Sequence, residues 1–311
     1  MDYVLKDVLD TVSITTAFYF RTDFRKPYAI RVPAYESVAR FHMAFHGYCQ
    51  VRIDDGTVVD LGEGDLVLVP NGASHVLACG GDAPEILLED AFQRTGYEGH
   101  GPFVFGYDGE ADGCQLICGH FAFAKGADHP LLALLPSIVH IPAARRRALP
   151  LLDEMSALIG RQVFNDDPDA TASFGRLSEA LFIEILRAAS HDVPRLATLF
   201  AAISDPHLGR ALAAIHANVG AQWTVEALAG HAAMSRTRFA ERFRALVGLS
   251  PMAYLTEWRL QRGLKLLADG QLPVKTVAAQ VGYTSPAAFS RAFSERFGHS
   301  PSSVGRAPAA A

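Results

Sequence analysis

Val277–Pro301 reads VAAQVGYTSPAAFSRAFSERFGHSP, and before it Leu228–Pro251 reads LAGHAAMSRTRFAERFRALVGLSP. Phe239, Phe243, Gly248, Ser250 and Pro251 return as Phe289, Phe293, Gly298, Ser300 and Pro301, all at an offset of 50. Upstream, Leu228, Ala229, Ala232, Met234 and Ser235 return as Val277, Ala278, Val281, Tyr283 and Thr284 at an offset of 49. A repeat of this length marks one supersecondary unit used twice. Its apolar spacing suits a helix, a tight turn and a second helix. Two such units let one chain present two equivalent helices.

Each second helix can be built from its own residues. Ser235 is a suitable N-cap, and Ser285 is another, followed by Pro286 at the first helical position. Phe239, Phe243 and Leu246 then define a buried face, while Thr237, Glu241 and Arg244 point away from it with Arg238 beside them. In the second copy Phe289 and Phe293 face inward, and Ala287, Arg291 and Ser294 occupy the outward face. Such a helix fits the major groove of DNA. Arg291 can donate two hydrogen bonds to guanine, and Glu241 can accept from a cytosine amine. Arg236, Arg242 and Lys275 sit at flanking angles that suit phosphate contact. Solvated helix faces are the plain alternative.

Charge agrees with the nucleic-acid reading. From His207 to Ala311 there are 12 Lys and Arg against 5 Asp and Glu, a net of +7, so the rest of the 311-residue chain carries −12. A basic end on an acidic body suits a polyanion binder with a separate partner or sensor region. The length allows two or three domains. With no run of eighteen apolar residues, no transmembrane helix is expected. The acidic N-terminus is unlike a secretion signal. The 4 cysteines are unequally spaced and match neither a disulfide scaffold nor a zinc CxxC pair. Cytoplasmic residence is the expectation.

Three textures divide the chain. Residues 1–15 carry Val4, Leu5, Val8, Leu9 and Val12 at helical spacing. From Ala17 to Ala124, short β-rich runs such as YAIRVP, DLVLVP and HVLAC argue for a sandwich or barrel. From Pro130 to Ser204 the pattern is helical: Leu177, Leu181, Ile185 and Ala188 form a stripe widened by Phe182 and Leu186. That stripe suits packing on another helix, within the chain or across a homodimer. FNDDPDATA (Phe164–Ala172) reads as a polar loop, SDPHLG around Pro206 as a hinge, and GRAPAAA as a frayed tail. The expected domains are 1–125, 126–204 and 205–306.

Residues 208–306 resemble the DNA-binding domain of the AraC/XylS regulators, on the two repeated segments and on LSPMAYLTEWRLQRGLKLL between them. The resemblance implies seven helices, two helix-turn-helix units joined by a helix over Pro251–Ala268, and binding in two successive major grooves. It also implies promoter or operator DNA and RNA polymerase as partners. Two positions depart from the pattern: Glu241 stands where Arg is common, and Gly305-Arg306 where Tyr-Arg is common.

The N-terminal half resembles the cupin-type sensor domain of one AraC subgroup, through YFRTDFRKPYAIRVP, FHMAFHG, CQLICGHFAF and HPLLALLP. GEGDLVLVPNGASH (Gly62–His75) matches the second cupin motif, Gly64-x5-Pro70-x-Gly72-x2-His75, whose His is often a metal ligand. The His-x-His of the first motif is missing. His42 and His46, four residues apart on a strand, are separated by about 13 Å. A site of His75 with His42, His120 or Cys118 suits zinc or iron; a hydrogen-bonded His75 without metal is the other reading, and no cofactor is expected. Some members of the subgroup respond to reactive chlorine or other oxidants through cysteines. Cys114 and Cys118 share a strand face with His120, about 13 Å from one another, beyond the ~7 Å a disulfide spans. Redox sensing would need Cys49, Cys79, another chain or a sulfenic acid; four inert buried thiols are the alternative.

The fold class expected is therefore α+β: a cupin-like β-barrel, a helical linker, and an all-α domain with two helix-turn-helix units. The function expected is a sequence-specific transcription regulator sensing a small molecule or oxidant. A cupin metalloenzyme with an accessory helical domain, and an architectural DNA binder, are the competing classes.

Overall fold

The computed structural model describes residues 15–81, 83–99, 101–106, 113–123, 134–164 and 170–304. The expected N-terminal helix, the Gly305-Arg306 departure and the tail lie outside them. The described residues form two compact units, one of residues 15–123 and 134–193 and the other from Pro194 onward. No helix among them is long and apolar enough to cross a membrane.

The first unit is built on eleven strands among the described residues. They are β1 (Thr15–Arg25), β2 (Tyr28–Val32), β3 (Val38–His46), β4 (Cys49–Ile53), β5 (Val58–Leu61), β6 (Leu66–Val69), β7 (His75–Cys79), β8 (Ile86–Leu87), β9 (Pro102–Phe105), β10 (Gly113–Ala122) and β11 (Val139–Ile141). One sheet runs β11-β6-β3-β10-β1-β9 and the other β5-β4-β7-β2-β8. The β4 run CQVRI alternates buried and half-buried residues, as a strand with one face inward must. LVLV of β6 and HVLAC of β7 are buried on both faces. Phe24, Tyr28, Ile30, Val51, Leu77, Phe103 and Leu116 from the two sheets meet in a common core. The expected barrel is thus met as two sheets around one core, with no continuous hydrogen-bonded ring among the described residues.

The GEGD turn earns its residues locally. Gly64 has φ +84, and a Cβ there would lie 3.0 Å from that of Ala143. Asp65 accepts from the backbone N–H of Ala143 at 2.7 Å and meets His140 Nε2 at 2.9 Å. These bonds fix the start of a short helix, Ala143–Arg147, against the turn.

Four helices accompany the sheets: α1 (Leu88–Thr95), α2 (Ala143–Arg147), α3 (Pro150–Phe164) and α4 (Ala170–Ala189). Gly160 of α3 sits on the Phe45 ring with no room for a side chain. In α4, Leu181 and Ile185 are fully buried, and Phe182 packs its ring 4.9 Å from that of Phe121. The helix lies on α3, β1 and β11. Its apolar stripe is therefore used within the unit, on a sheet as well as a helix. The loop expected over Phe164–Ala172 is corrected at both ends: Phe164 closes α3 and Ala170 already opens α4.

The second unit is all helical: α5 (Pro194–Ser204), α6 (Leu208–Ala217), α7 (Val225–His231), α8 (Arg236–Val247), α9 (Pro251–Ala268), α10 (Val274–Gln280) and α11 (Pro286–Phe297), then a 3-10 turn at Pro301–Ser303. Over 208–304 that makes six α-helices and the 3-10 turn among the described residues. The connecting helix has the bounds expected of it, Pro251–Ala268. SDPHLG is no hinge. Asp205 accepts from the backbone N–H groups of His207 and Leu208, both at 2.9 Å, and so caps α6 inside the unit. The break between the two units falls earlier, before Pro194.

The change of offset within the repeat has a structural cause. Both turns pass through a left-handed residue, Ala233 (φ +49) and Gly282 (φ +84), 49 apart. Both second helices start at a serine N-cap position, Ser235 and Ser285, 50 apart. The extra residue, Thr284, lies between these two points. Ser285 caps through its side chain, accepting from Ala288 N–H at 3.4 Å, whereas Ser235 makes no such bond.

Candidate functional site

Phe239, Phe243, Phe289 and Phe293 are fully buried, which sets the rotation of α8 and α11. Leu246, expected beside the first pair, is half-buried. The opposite faces then follow from helix geometry. Thr237, Arg238, Glu241 and Arg244 are exposed along α8, and Ala287 and Arg291 along α11; Ser294 is half-buried. Lys275 is exposed on α10. The half-buried Ser285 spends its hydroxyl on the cap.

Two arginines taken as phosphate contacts have protein partners. Arg236 Nη1 meets Glu226 Oε1 at 3.0 Å, both side chains exposed. Arg242 forms an ion pair with Asp205, whose side chain is 8% exposed. Burial opposes ionisation of Asp205, but the hydrogen bonds from Arg242 and from the backbone N–H groups of Leu208 and His207 outweigh it and hold its pKa at about 2. Arg242 therefore ties α8 to the α5–α6 turn.

Helix α9 holds α11 in place. Glu257 takes Arg296 Nε on both oxygens, at 3.0 and 2.9 Å. Arg259 donates to the carbonyls of Val219 and Ala221 at 3.1 and 2.7 Å. A Cβ on Gly263 would lie 2.9 Å from the edge of the Phe289 ring, so α9 and α11 touch there without a spacer.

In the sheet unit a buried chain of polar groups crosses the core. Cys118 on β10 and His42 on β3 are register partners, and Cys118 Sγ lies 3.0 Å from His42 Nδ1. His42 Nε2 is 2.8 Å from His75 Nε2, and His75 Nδ1 is 2.9 Å from the Ala73 carbonyl oxygen. That carbonyl can only accept, so His75 carries its proton on Nδ1 and accepts at Nε2. His42 must then donate from Nε2 and accept the Cys118 thiol proton at Nδ1. Every member is satisfied with both rings neutral. Burial keeps them so: it lowers the pKa of His42 well below the ordinary value, brings that of His75 to about 4, and raises that of Cys118. The position of His75 was legible in its motif; its pairing with His42 was not, because β3 and β7 belong to different sheets.

His120, two residues beyond Cys118, is half-buried, and burial and Arg40 lower its pKa. His46 is exposed beside Glu63. Among the described residues no three His, Cys, Asp or Glu side chains are grouped to hold a metal ion. The two facing imidazole nitrogens instead share a hydrogen bond.

The four cysteines are free, buried and part of one core cluster. The neighbouring Cys49 thiol holds the Cys114 pKa below the usual thiol value, and Cys114 together with burial raises that of Cys49. The Tyr28 hydroxyl lies among Cys49, Cys114 and Cys79, and burial raises its pKa. Sequence reading singled out Cys114 and Cys118. It had no local signal that would bring Cys49 from a different sheet to Cys114.

Comparison with known proteins bears on both units. A family described as Cupin matches residues 4–191, and one described as Helix-turn-helix domain matches residues 228–307. The HTH-type transcriptional regulator AlkR of Acinetobacter baylyi is 31% identical over 303 residues, spanning 96% of this chain and 97% of that protein. A putative AraC-like transcription regulator of Streptomyces antibioticus is 31% identical over 280 residues, 87% of this chain and 88% of its own. The RCS-specific HTH-type transcriptional activator RclR of Escherichia coli is 26% identical over 265 residues, 85% and 83% respectively.

Proposed function

This chain belongs to the AraC-type DNA-binding transcriptional regulators that carry a cupin domain, and from that premise we propose how it reads DNA and where it is switched. It is a regulator and not an enzyme. α7 with α8, and α10 with α11, act as two helix-turn-helix units. α8 and α11 enter successive major grooves of promoter or operator DNA. Arg291 reads guanine with two hydrogen bonds. Thr237, Arg238, Glu241 and Arg244 line the first reading edge; Ala287 and Ser294 flank Arg291 on the second. Arg236 and Lys275 lie along the phosphates. Arg242 serves the fold of this unit more than the DNA.

The sheet unit with its helices receives the signal, a small molecule or an oxidant, and the helical unit answers by a shift of population that requires different affinity for the signal in the two states. RNA polymerase is the downstream partner, and the cytoplasm is where promoter DNA is met. The supporting observation is the pair of exposed faces on α8 and α11, each opposite two fully buried phenylalanines.

The test is fluorescence anisotropy with labelled fragments from upstream of the regulated genes, titrated over salt. Affinity should fall steeply as salt rises, and Arg291→Ala should weaken the best fragment while leaving random DNA little changed. Equal, shallow binding to every fragment would sink the reading.

A further inference from the structure

Gly220 lies in the loop between α6 and α7, and Gly282 in the turn between α10 and α11. The two backbones touch there. A Cβ on Gly220 would collide with the Gln280 carbonyl oxygen, and one on Gly282 would lie 2.8 Å from the Gly220 oxygen and 2.6 Å from Arg259 Nη2. Arg259 of α9 closes the junction from a third side, donating to the carbonyls of Val219 and Ala221 at 3.1 and 2.7 Å. Gln222 Nε2 donates across it to the Gly282 carbonyl oxygen at 3.3 Å. The loop ends at Thr224, whose side chain caps α7. The junction therefore joins the entry of the first helix pair to the turn of the second.

Comparison of the two copies of the repeat shows that space, beyond backbone conformation, demands a glycine at position 282. Ala233 holds the equivalent left-handed position in the first turn, with φ +49 against +84. Both turns close by the same bond, Ala233 N–H to the Gly230 oxygen at 3.0 Å and Gly282 N–H to the Ala279 oxygen at 3.1 Å. The first turn accommodates a side chain because Ala233 is exposed; Gly282 is buried against Gly220 and Arg259.

We infer that the Gly220–Gly282–Arg259 junction is the spacing determinant of this protein. It fixes the interval at which α8 and α11 meet DNA, and so selects operators by the number of base pairs between the two grooves. The inference rests on the two-groove reading given above. Helix α9 packs on α8, α10 and α11 and is one tether between the two helix pairs. A single tether leaves each pair free to swivel about its contact; a second attachment at another point removes that freedom. Each base pair inserted between two sites moves one from the other by ~3.4 Å and turns it by about 35°. Heads that cannot swivel cannot follow. Linked binding exceeds that of one head by about 10²–10⁴ and is lost where geometry forbids simultaneous engagement. Arg259, Gly220 and Gly282 are thus positioning residues, acting through the two reading helices and not on the bases.

The experiment footprints the full-length chain on its best upstream fragment to locate the two contacted grooves. One and two base pairs are then inserted or removed between them, and affinity is read by anisotropy. The wild-type chain should lose about 100-fold on a single insertion. Arg259→Met removes the bonds to the loop, and Gly220→Ala pushes the loop off the turn. Each should bind the native spacing more weakly and lose only about tenfold or less on insertion, at a temperature where melts show the variant folded. A variant weakened by the same factor at every spacing, with the wild-type penalty kept, has a structural defect alone and overturns the assignment. Should neither variant fold, spin labels on Ala245→Cys and Glu295→Cys, exposed residues of α8 and α11, read the intact junction directly. One narrow separation is expected, and a broad distribution overturns the inference. A wild-type chain indifferent to spacing refutes the two-groove reading instead, whatever the variants do.

Discussion

His42 and His75 meet Nε2 to Nε2 at 2.8 Å from two different sheets. Because His75 Nδ1 is committed to the Ala73 carbonyl, only one arrangement of protons satisfies the pair while both rings are neutral. A proton added to His75 Nε2 turns that atom into a donor, forces His42 into its other tautomer and places a charge in the core.

Acid should therefore loosen the sheet unit. Burial holds the His75 pKa at about 4 in the fold, against an ordinary value near 6.5. As pH falls, the unfolded chain takes up its proton first. The stabilisation is complete above about pH 6.5, is lost as pH drops toward 4, and levels off below, a swing on the order of 3 kcal/mol. Urea unfolding at pH 7 and pH 4.5 should display it, and His75→Gln should flatten the difference. An equal shift in wild type and variant would assign the acid sensitivity to other groups.

Arg291→Ala should cost about 1–3 kcal/mol at one base pair and relax the preference there. A panel of single-base substitutions across the operator, read by anisotropy, locates the pair. A uniform loss at all positions would mean Arg291 contacts phosphate.

Arg242 and Arg244 sit on the same helix and should behave differently. Arg242→Ala breaks the pair with Asp205 and should lower stability by about 1 kcal/mol. Arg244→Ala should leave melting unchanged and relax base preference at the first reading edge, and Lys275→Ala should leave melting unchanged and reduce the slope of log affinity against log salt by about 1. Thermal melts beside salt titrations separate the two behaviours.

The α9–α11 contact makes a paired prediction. Phe289→Ala should destabilise by about 3–5 kcal/mol, and Gly263→Ala by about 1–3 kcal/mol through overpacking against the same ring. Combined with Phe289→Leu, Gly263→Ala should cost less than the sum, because the ring edge it strikes is gone. Strict additivity in denaturant midpoints would contradict the packing at 2.9 Å.

The helical unit was the more legible part of the chain. Its repeat, its serine starts and its phenylalanine pairs are local signals, and local rules set where those helices begin and which way they face. What escaped depended on distant partners. Asp205 looked like part of a loose linker because nothing nearby reveals that its carboxylate caps α6 and holds Arg242 from α8. The strands were legible as strands, yet their order in two sheets decides which of the histidines and cysteines meet. Spacing along β10 correctly kept Cys114 from Cys118, but only the facing sheet supplies Cys49. Only the ends of the loop expected over Phe164–Ala172 were misplaced, because helical residues flank its polar run on both sides.

Leu181 and Ile185, fully buried where α4 lies on the six-stranded sheet, bear on how self-association is to be investigated. Charged replacements in that stripe would yield insoluble chains, and a screen for monomers would misread such failures as lost subunit contacts. Any surface joining two copies has to be sought elsewhere, by scanning residues that are already wet.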